Sequence, residues 1–494
     1  MNDKNSAIRE VALHEIWKRQ SYKSPLKTLT GEEIKILDAG VYNEETDGPD
    51  FKNARIRIGN FTYAGDIEID RNYNDWKTHG HNIDSKYSKV VLHATLINQN
   101  NYGYVYTRDG RKITSICLSQ FIEEKKLESL KNDSADEKMD SSSNVKCSGL
   151  IQKVSEEAKE KYLRELGNLR FEKKCKKIHA RLKELQFIRE LDIKEPVISY
   201  DLSARFLERK FNHSDFTSKE IWQQLFYELI FEALGYSKNK LQMLHLARAA
   251  NVNFLGKIEN DGVIVEKYEA ALLFISGLMN DPVHTTESVS RKYLEKISLH
   301  WNSIRPFYDG KYFETASWHF FRLRPQNFPT VRIAGGARLL AGLLHKNLIP
   351  AVAKKITEIH NFEVLIKSLR STFIIKAEGF WKNHYVLDQT SNSEIKYFVG
   401  VSRADEIVVN VVLPFFAVYF DMFEKKEAVK KLMKLYNAYE ERSDNQLTLE
   451  VAQSLNMAGL VHSAVLSQGM IELFRTFCSR SQCLECEIGK SVFN

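Results

Sequence analysis

Residues 48–70, GPDFKNARIRIGNFTYAGDIEID, decide the fold of this chain. Residues 54–58 favour a short strand, Gly59-Asn60 a turn and residues 61–70 a longer returning strand, so the stretch predicts a β-hairpin. Apolar and acidic side chains alternate along the returning strand, which places them on opposite faces. The apolar face contains Phe61, Tyr63, Ile67 and Ile69, and the acidic face contains Asp66, Glu68 and Asp70.

The acidic face of this hairpin predicts a divalent-cation site. Folding the hairpin back brings Asp50, at the mouth of the first strand, towards Glu68 on the second. Carboxylates held that close repel one another unless they are protonated, fully solvated or bound to a cation. Because hard cations prefer oxygen ligands, we expect Asp50 and Glu68 to bind Mg²⁺ or Mn²⁺, with help from Asp66 or Asp70. The alternative is an acidic, solvent-facing edge that binds nothing.

The order of these residues also carries a family resemblance. Pro49-Asp50 followed by Glu68-Ile69-Asp70 resembles the active-site signature of the restriction-endonuclease-like superfamily of metal-dependent nucleases. That signature is Pro-Asp, then Asp or Glu, any residue, and Lys. The resemblance implies an N-terminal restriction-endonuclease-like α/β domain and hydrolysis of phosphodiester bonds. This chain departs from the signature at Asp70, which stands in place of the lysine that orients water or stabilises developing charge.

Histidines that follow the hairpin are candidates for proton transfer. His79 and His81 lie in the phrase DWKTHGH, and Lys77 between them and the hairpin is a candidate phosphate contact. A third histidine, His93, lies within a predicted strand at residues 89–97. Imidazole changes its charge near neutral pH, so His79 or His81 is suited to a proton relay. A structural role is the alternative for each of them.

The rest of the first domain predicts a helix and a small sheet. Residues 7–20 have the apolar spacing of an amphipathic helix, and residues 34–37 favour a short strand. A second hairpin turns through Asp109-Gly110. The nuclease resemblance makes Glu15, on the helix, a further candidate acidic ligand. We place the end of this domain at residue 125.

Length and composition set the broad class of protein. A chain of 494 residues is too long for one ordinary domain, and 43% hydrophobic residues can form large cores. The net charge of +7 permits a nucleic-acid partner without requiring one. The N-terminus has scattered charges and no signal-peptide pattern, and the longest apolar run, residues 407–423, is interrupted by polar residues. We therefore expect a cytoplasmic protein with no membrane span.

Beyond the first domain the sequence predicts a linker, a helical domain and a cysteine-rich tail. Residues 126–146 are polar and rich in serine, which indicates a flexible linker. An all-α domain follows at 147–476, and the tail occupies 477–494, so the predicted fold class is α+β. Beyond the linker, helices are predicted at residues 155–190, 218–234, 238–252, 268–279, 288–297, 318–323, 332–344, 362–372, 408–423, 427–443 and 448–478.

One segment of the helical domain has the composition of a nucleic-acid contact. Residues 318–333, WHFFRLRPQNFPTVRI, place Arg322, Arg324 and Arg332 among aromatic rings. Arginines beside aromatic rings can bind phosphates and stack on bases. They can equally bridge helix ends across a tight internal corner, and that alternative stays open.

The cysteines near the C-terminus predict a second metal centre. Cys478, Cys483 and Cys486 form a C-x₄-C-x₂-C cluster, a spacing that lets thiolates converge on one ion or cluster. Cys147 is the preferred fourth ligand, ahead of the two remaining cysteines. Four thiolates suit either a 4Fe–4S cluster or a structural Zn²⁺. The alternative is a set of reduced surface thiols with no metal.

A second resemblance covers nearly the whole chain. The ordered phrases HEIWK, GPDF, GDIEI, DWKTHGH, VVLHA, FFRLRPQNFPTVRIA, NVVLPF and LSQGMIEL, with the terminal cysteines, resemble an uncharacterised bacterial family known only as a domain of unknown function. The resemblance implies a shared architecture and a histidine where this chain has Asp70. The favoured function is a metal-dependent nuclease acting on DNA or RNA. The alternative is a catalytically inactive nucleic-acid-binding or scaffold protein.

Overall fold

The computed structural model describes most of the chain, in two compact units, Met1–Ser142 and Ser143–Asn494. The first unit contains a large sheet and the second is mostly helical, so the α+β prediction is confirmed. The division falls inside the predicted linker, most of which lies outside the described residues. The described residues are 10–23, 25–28, 31–43, 48–78, 81–82, 85–98, 102–107, 110–123, 145–191, 206, 208–279, 285–320, 323–391, 393–442, 445–480 and 482–493.

The first unit is organised around an 8-stranded sheet with the strand order β1-β2-β4-β5-β6-β8-β7, and β3 pairs with β4. Neighbouring strands from β1 to β5 run antiparallel, β5, β6 and β8 run parallel, and β7 returns antiparallel to β8. The strands are β1 Leu26–Lys27, β2 Glu33–Asp38, β3 Val41–Tyr42, β4 Phe51–Ile58, β5 Phe61–Asn72, β6 Val90–Ile97, β7 Tyr104–Tyr106 and β8 Lys112–Cys117.

The predicted acidic hairpin is the β4–β5 pair, with its turn at Gly59-Asn60. Ile67 and Ile69 are fully buried, as the alternation predicts. Phe61 shares their face in the sequence pattern, but 71% of its surface is exposed, so this part of the apolar face is not covered by the core. The first four residues of β5 are exposed on both faces, because this end of the hairpin extends beyond the packed part of the sheet.

The core of the first unit lies under helix α1, Glu10–Lys18. The helix packs Leu13, Ile16 and Trp17 against the sheet, and the Trp17 indole donates a hydrogen bond to the Ala39 carbonyl at 3.1 Å. Strand β6 is buried along almost its whole length because it pairs with β5 on one side and β8 on the other. A short helix α2, Asp75–Thr78, follows β5.

The second unit consists of helices with four short strands among them. The helices are α3 Glu156–Glu190, α4 Lys219–Leu234, α5 Lys240–Ala249, α6 Val252–Leu255, α7 Ile264–Ile275, α8 Ser288–Ile304, α9 Pro329–His345, α10 Leu348–Glu358, α11 Phe362–Phe373, α12 Val401–Ile407, α13 Leu413–Met422, α14 Lys426–Ala438, α15 Gln446–Ser454, α16 Ala464–Thr476 and α17 Glu487–Phe493. The strands are β9 Ile375–Lys376, β10 His384–Val386, β11 Gln389–Thr390 and β12 Tyr397–Val399.

Two of the predicted helices are wrong. The predicted helix at 448–478 is two helices, α15 and α16, because the chain between them turns so that the Ala464 N–H can reach the Tyr439 carbonyl at 2.9 Å. The described residues of the predicted helix at 318–323 are not helical. Their polar groups are bound elsewhere, since the His319 N–H donates to the Asn239 side chain at 2.8 Å.

Helices α3 and α16 are in unusually close contact. Gly167 on α3 faces Val465, and a Cβ atom at position 167 would overlap the Val465 carbonyl oxygen. Gly469 on α16 has the same relation to the Leu163 carbonyl. Because neither glycine has a side chain, the two backbones can approach until they touch. Ion pairing adds to this contact, with Arg170 lying 3.2 Å from a carboxyl oxygen on α16.

The longest apolar run of the sequence, residues 407–423, is largely buried in the second unit. Helix α12 continues through a π-helical turn at Val408–Val412 into α13, and nearly every side chain along α13 is buried. In the described part of the chain, no helix has both the length and the apolar composition needed to cross a bilayer.

Candidate functional site

The acidic face of β5 contributes two of three side chains that form a buried cluster. Glu68 and Asp70 both project from this face, and His81 lies between them, with its Nε2 3.0 Å from Glu68 Oε1 and 3.7 Å from Asp70 Oδ1. One donor atom from each of the three residues lies within 4.8 Å of the other two. Among the described residues this is the one group of three or more ligand side chains gathered so closely. The cluster could hold a metal ion.

Asp70 is positioned by a relay of buried polar groups on β6, which pairs with β5, and on β8, which pairs with β6. His93 on β6 lies with its Nε2 3.1 Å from Asp70 Oδ2, and its Nδ1 lies 3.1 Å from the Ser115 hydroxyl on β8. Asp70, His93 and Ser115 all have 0% exposure. Parallel pairing sets Glu68 opposite His93 and His93 opposite Ser115. The relay therefore fixes both the carboxylate and the imidazole ring.

Asp50 forms the more exposed side of the cluster. Its N–H donates to Glu68 Oε2 at 3.2 Å, and its own Oδ2 accepts a hydrogen bond from the Ile69 N–H at 2.9 Å. His14 Nε2 lies 3.2 Å from the same Oδ2. The side chains of Asp50 and His14 keep 20% and 12% of their surface exposed, so solvent approaches the cluster from their side.

His14 comes from helix α1, where the sequence suggested its neighbour Glu15. Glu15 instead points outward, is half exposed, and pairs with Arg19 at 3.1 Å on the same helix. Helix α1 therefore contributes a side chain to the acidic hairpin, as expected, but that side chain is His14, one position before Glu15 in the phrase HEIWK.

Aromatic rings enclose the two buried histidines. The ring of Tyr87 lies 4.0 Å from that of His81, and Trp76 lies 5.4 Å from His81 and 5.2 Å from His93. The Trp76 indole is itself held by a hydrogen bond to the Tyr106 carbonyl at 2.9 Å. These rings exclude water and fix the imidazole orientations, which strengthens every charge interaction in the cluster.

Burial and crowding shift the pKa values of the cluster strongly. Burial, followed by the charge of Asp50, raises the pKa of Glu68 to about 8. Burial alone would lower the pKa of His81, but its hydrogen bonds with Asp70 and Glu68 outweigh that effect and raise it to about 10. At neutral pH both groups therefore carry a proton. The proton on Glu68 removes a negative charge and the proton on His81 adds a positive one, so both reduce the repulsion among the carboxylates.

The other predicted residues of the hairpin region are placed differently. Asp66 is buried but not part of the cluster, because its Oδ1 accepts a hydrogen bond from the Asn53 N–H at 3.0 Å, at a bulge in β4. Lys77 is exposed on α2. His79 lies outside the described residues, so its predicted role stays a prediction.

The structure brings Cys147 near the three C-terminal cysteines. The short 3₁₀ helix that follows Cys147 is tied to α17 by a hydrogen bond from Lys153 to the Val492 carbonyl at 3.3 Å. Burial raises the pKa of Cys147 to about 11, with further contributions from the nearby thiolates of Cys486 and Cys483. The pKa of Cys478 rises to about 12 through burial and the other three thiolates. All six cysteines of the chain are described, and none forms a disulfide.

The spacing of the four sulfur atoms is open. No three of them, all in described residues, lie within 4.8 Å of one another. Four thiolates on one tetrahedral Zn²⁺ would sit about 3.8 Å apart, from a Zn–S distance of about 2.3 Å. The present spacing is therefore wider than a single zinc ion requires.

The predicted nucleic-acid arginines differ in their surroundings. Arg332 is buried, and its guanidinium donates to the Phe398 carbonyl and to the side chains of Tyr236 and Asn327. Arg324 is exposed. Arg322 lies outside the described residues.

Sequence reasoning missed His14, His93 and Ser115 as members of this site. For His93 the sequence leaves a structural role open as an alternative, and its contact with Asp70 shows that it supports the acidic cluster. The signal that could have found the two histidines is the pairing of each acid on the hairpin with a histidine; no comparable signal points to Ser115. Asp50 pairs with His14, Glu68 with His81 and Asp70 with His93.

Comparison with known proteins identifies a family without adding a function. Searches of curated proteins and of solved structures each found no significant match. A protein-family profile matches residues 10–191 and 198–445, which include the whole acidic cluster and Cys147 and end before the three C-terminal cysteines. Because these spans make up well over half of the sequence, the chain belongs to the family described as "Protein of unknown function (DUF2851)".

Proposed function

We propose that the first unit is a metal-dependent nuclease that hydrolyses phosphodiester bonds in DNA or RNA. The observation that carries the proposal is the buried cluster of Glu68, Asp70 and His81 with Asp50 at its edge. Glu68 and the edge residue Asp50 occupy the positions that the nuclease signature gives to its metal ligands. Strongly shifted pKa values in such a cluster are typical of functional sites.

The donor set of the cluster favours Mn²⁺ over Mg²⁺. Mg²⁺ binds oxygen almost exclusively, whereas an imidazole nitrogen beside carboxylates suits a transition metal. Glu68, Asp70 and His81 would hold the ion, and Asp50 would help from the exposed side. When bound, such an ion would lower the pKa of a water molecule and neutralise charge on a phosphate group.

The remaining residues of the site support this chemistry. His93 and Ser115 hold Asp70 in one orientation, as partners beyond the direct ligands do in metal sites. His14 is the imidazole nearest to solvent and touches Asp50, so we assign proton exchange at the edge of the site to it. Asp70, in the place of the motif lysine, is fully buried and cannot serve as a cation.

A second function is favoured by the same contacts. Each acid of the cluster already has a histidine partner, so the network is satisfied without an ion. In that case the unit would be a catalytically inactive nucleic-acid-binding or scaffold domain, with the charged cluster stabilising the sheet.

A cleavage assay separates the two functions. Fluorescent single- and double-stranded DNA and RNA are incubated with the protein and Mn²⁺ or Mg²⁺, and with the variants Glu68→Gln and Glu15→Gln. Glutamine keeps the size of Glu68 and an oxygen for the Asp50 N–H, so the fold is retained. Glu15 is the matched control, since its carboxylate points away from the cluster.

We expect cleavage by the unmodified protein and by Glu15→Gln, and at least a hundredfold loss in Glu68→Gln. Equal cleavage by both variants would contradict the assignment of the metal ligands. Binding of a substrate without cleavage by the unmodified protein would favour the inactive alternative.

We also propose that Cys147, Cys478, Cys483 and Cys486 hold a 4Fe–4S cluster in the second unit. The four thiols lie close enough for their charges to affect one another's pKa values, which supports a shared centre, and four cysteine ligands suit such a cluster. A cytoplasmic location, which the sequence predicts, would keep these thiols reduced.

Purification without oxygen followed by metal analysis and visible absorption tests this centre. We expect about four iron atoms per chain in the unmodified protein and in Cys175→Ser, whose thiol lies outside the group, and loss of iron in Cys483→Ser. One zinc per chain would replace the cluster assignment with a zinc site, and absence of both metals would remove the centre.

A further inference from the structure

The second unit contains a large open cavity that no part of the proposed function uses. Its volume is about 870 Å³, within the range of small-molecule sites. It is lined by residues that precede α9, by residues near β12 and by the start of α12. Its charged lining includes Arg324, Arg332, Lys396 and Arg403.

Arg332 is an unusually placed charge within this lining. It is 5% exposed, and its hydrogen-bond partners are the uncharged Phe398, Tyr236 and Asn327. Its Nε atom has no hydrogen-bond partner among the described residues. A buried guanidinium that is not matched by an anion is costly. Arg332 therefore brings to the lining a positive charge that none of its hydrogen-bond partners neutralises.

Arg403 adds a second positive charge beside the same aromatic ring, that of Tyr236. The guanidiniums of Arg332 and Arg403 lie 4.7 Å and 3.2 Å from the centre of the Tyr236 ring. The Nε atom of Arg403 is likewise buried with no hydrogen-bond partner in the described part of the chain. Burial lowers the pKa of Arg332 to about 10, and the charge of Arg403 lowers it further. Tyr236 and the more distant carboxylate of Glu406, which pairs with Arg403, oppose this shift.

The acids of the lining are already engaged. Glu406 forms an ion pair with Arg403, and Glu394 pairs with Lys382, which is not part of the lining. Arg324 and Lys396 are exposed at the rim and add two further positive charges. The cavity as a whole therefore carries an excess of positive charge, as expected for a site that binds an anion.

Aromatic rings complete the chemistry of the cavity. Tyr236, Tyr385 and Tyr397 all contribute to its lining. Arginines bind phosphate oxygens in a forked geometry, and tyrosine rings stack on planar bases. An inorganic anion would use the arginines alone and leave most of the volume empty.

We propose that this cavity binds a nucleoside phosphate, with the phosphate at the arginines and the base against the tyrosines. The ligand chemistry has two sources, a free nucleotide or the 5′-phosphorylated end of a nucleic-acid strand. The site lies in the second unit and does not depend on the nuclease assignment in the first.

Isothermal titration calorimetry on the full chain tests the proposal with four probes: inorganic phosphate, a panel of the common nucleoside mono- and triphosphates, and one short oligonucleotide with either a 5′-phosphate or a 5′-hydroxyl. The titrations contain EDTA and no divalent ion, so that hydrolysis in the first unit cannot interfere. We expect at least one nucleotide or the 5′-phosphorylated strand to bind tenfold or more tightly than inorganic phosphate. Preference for the free nucleotide or for the phosphorylated strand identifies the source.

Charge-reversal variants locate the binding. Arg324→Glu and Lys396→Glu change exposed rim residues, so both variants should fold, and each should weaken binding at least tenfold. Lys367→Glu on α11, outside the lining, makes the same change in net charge and should leave affinity unchanged. Equal affinity in all three variants, or no binding of any phosphorylated probe, would overturn the proposal. Binding of inorganic phosphate as tight as that of every nucleotide would overturn the part assigned to the tyrosines.

Discussion

Lowering the pH should weaken Mn²⁺ binding at the acidic hairpin steeply, because the ion must displace protons from its own ligands. Glu68, with a pKa near 8, and His81, with a pKa near 10, both bind a proton at pH 7. Each must lose that proton before its oxygen or nitrogen can reach the ion. The metal therefore competes with two protons below about pH 8 and with one between about pH 8 and about pH 10.

The size of the effect follows from these two values. Below about pH 8 the apparent affinity should fall about a hundredfold for each pH unit, which is about 2.7 kcal/mol of binding free energy. Between about pH 8 and about pH 10 the fall should be about tenfold for each unit. A surface carboxylate site would lose almost nothing in this range, because its groups titrate near pH 4.

Calorimetric titration of the metal-free protein with Mn²⁺ measures both the affinity and the protons released. Repeating the titration in buffers of different ionisation enthalpy should give close to two protons released at pH 7. His81→Asn should release only one, and Glu15→Gln, whose carboxylate is exposed on α1, should match the unmodified protein. An affinity that changes less than threefold between about pH 6 and 7 would refute the assignment of Glu68 and His81 as joint ligands.

Three further outcomes are expected. Without metal, Glu68 and His81 bind protons more tightly in the folded state than in the unfolded state, because their pKa values are raised by folding. The free energy of unfolding should therefore fall as pH rises from about 5 to about 10. In urea titrations, Glu68→Gln should remove part of that fall. Gly167→Ala should destabilise the second unit by about 1–3 kcal/mol in the same assay, since its Cβ would overlap the Val465 carbonyl, whereas Gly149→Ala, in open space, should not. In differential scanning calorimetry, Cys483→Ser should lower the thermal midpoint of the second unit, and Cys175→Ser should lower it less. Equal midpoints for Cys483→Ser and the unmodified protein would argue against a stabilising metal centre.

The sequence predicted the hairpin and the acids it presents because both follow from local patterns. The alternation along β5 placed Glu68 and Asp70 on one face, and the Gly59-Asn60 turn set the pairing of β4 with β5. The start of α3 was equally local, since the Ser155 hydroxyl accepts a hydrogen bond from the Ala158 N–H at 3.2 Å. Signals of this kind need only a few neighbouring residues.

The partners of those acids could not be found in the same way. His93 meets Asp70 because β6 runs parallel to β5 in one particular register, and His14 meets Asp50 because α1 packs over the sheet. Asp66 is not part of the acidic cluster because it accepts a hydrogen bond at a bulge formed by Asn53, whose backbone has a positive φ of 59°. These contacts depend on the assembled sheet. The cavity around Tyr236 depends in the same way on the folded second unit, which brings together segments far apart in the chain.

The contact between α3 and α16 has a consequence for the order in which the second unit is made. Arg170 on α3 and its hydrogen-bond partner Gln468 on α16 are 298 residues apart in sequence. During synthesis, α3 leaves the ribosome long before the helix that covers it exists. The surface of α3 that α16 covers, including Gly167, stays uncovered for that interval, because synthesis adds only roughly 5–20 residues per second. The contact between the two helices can form only near the end of translation, so the packing of the second unit is completed late.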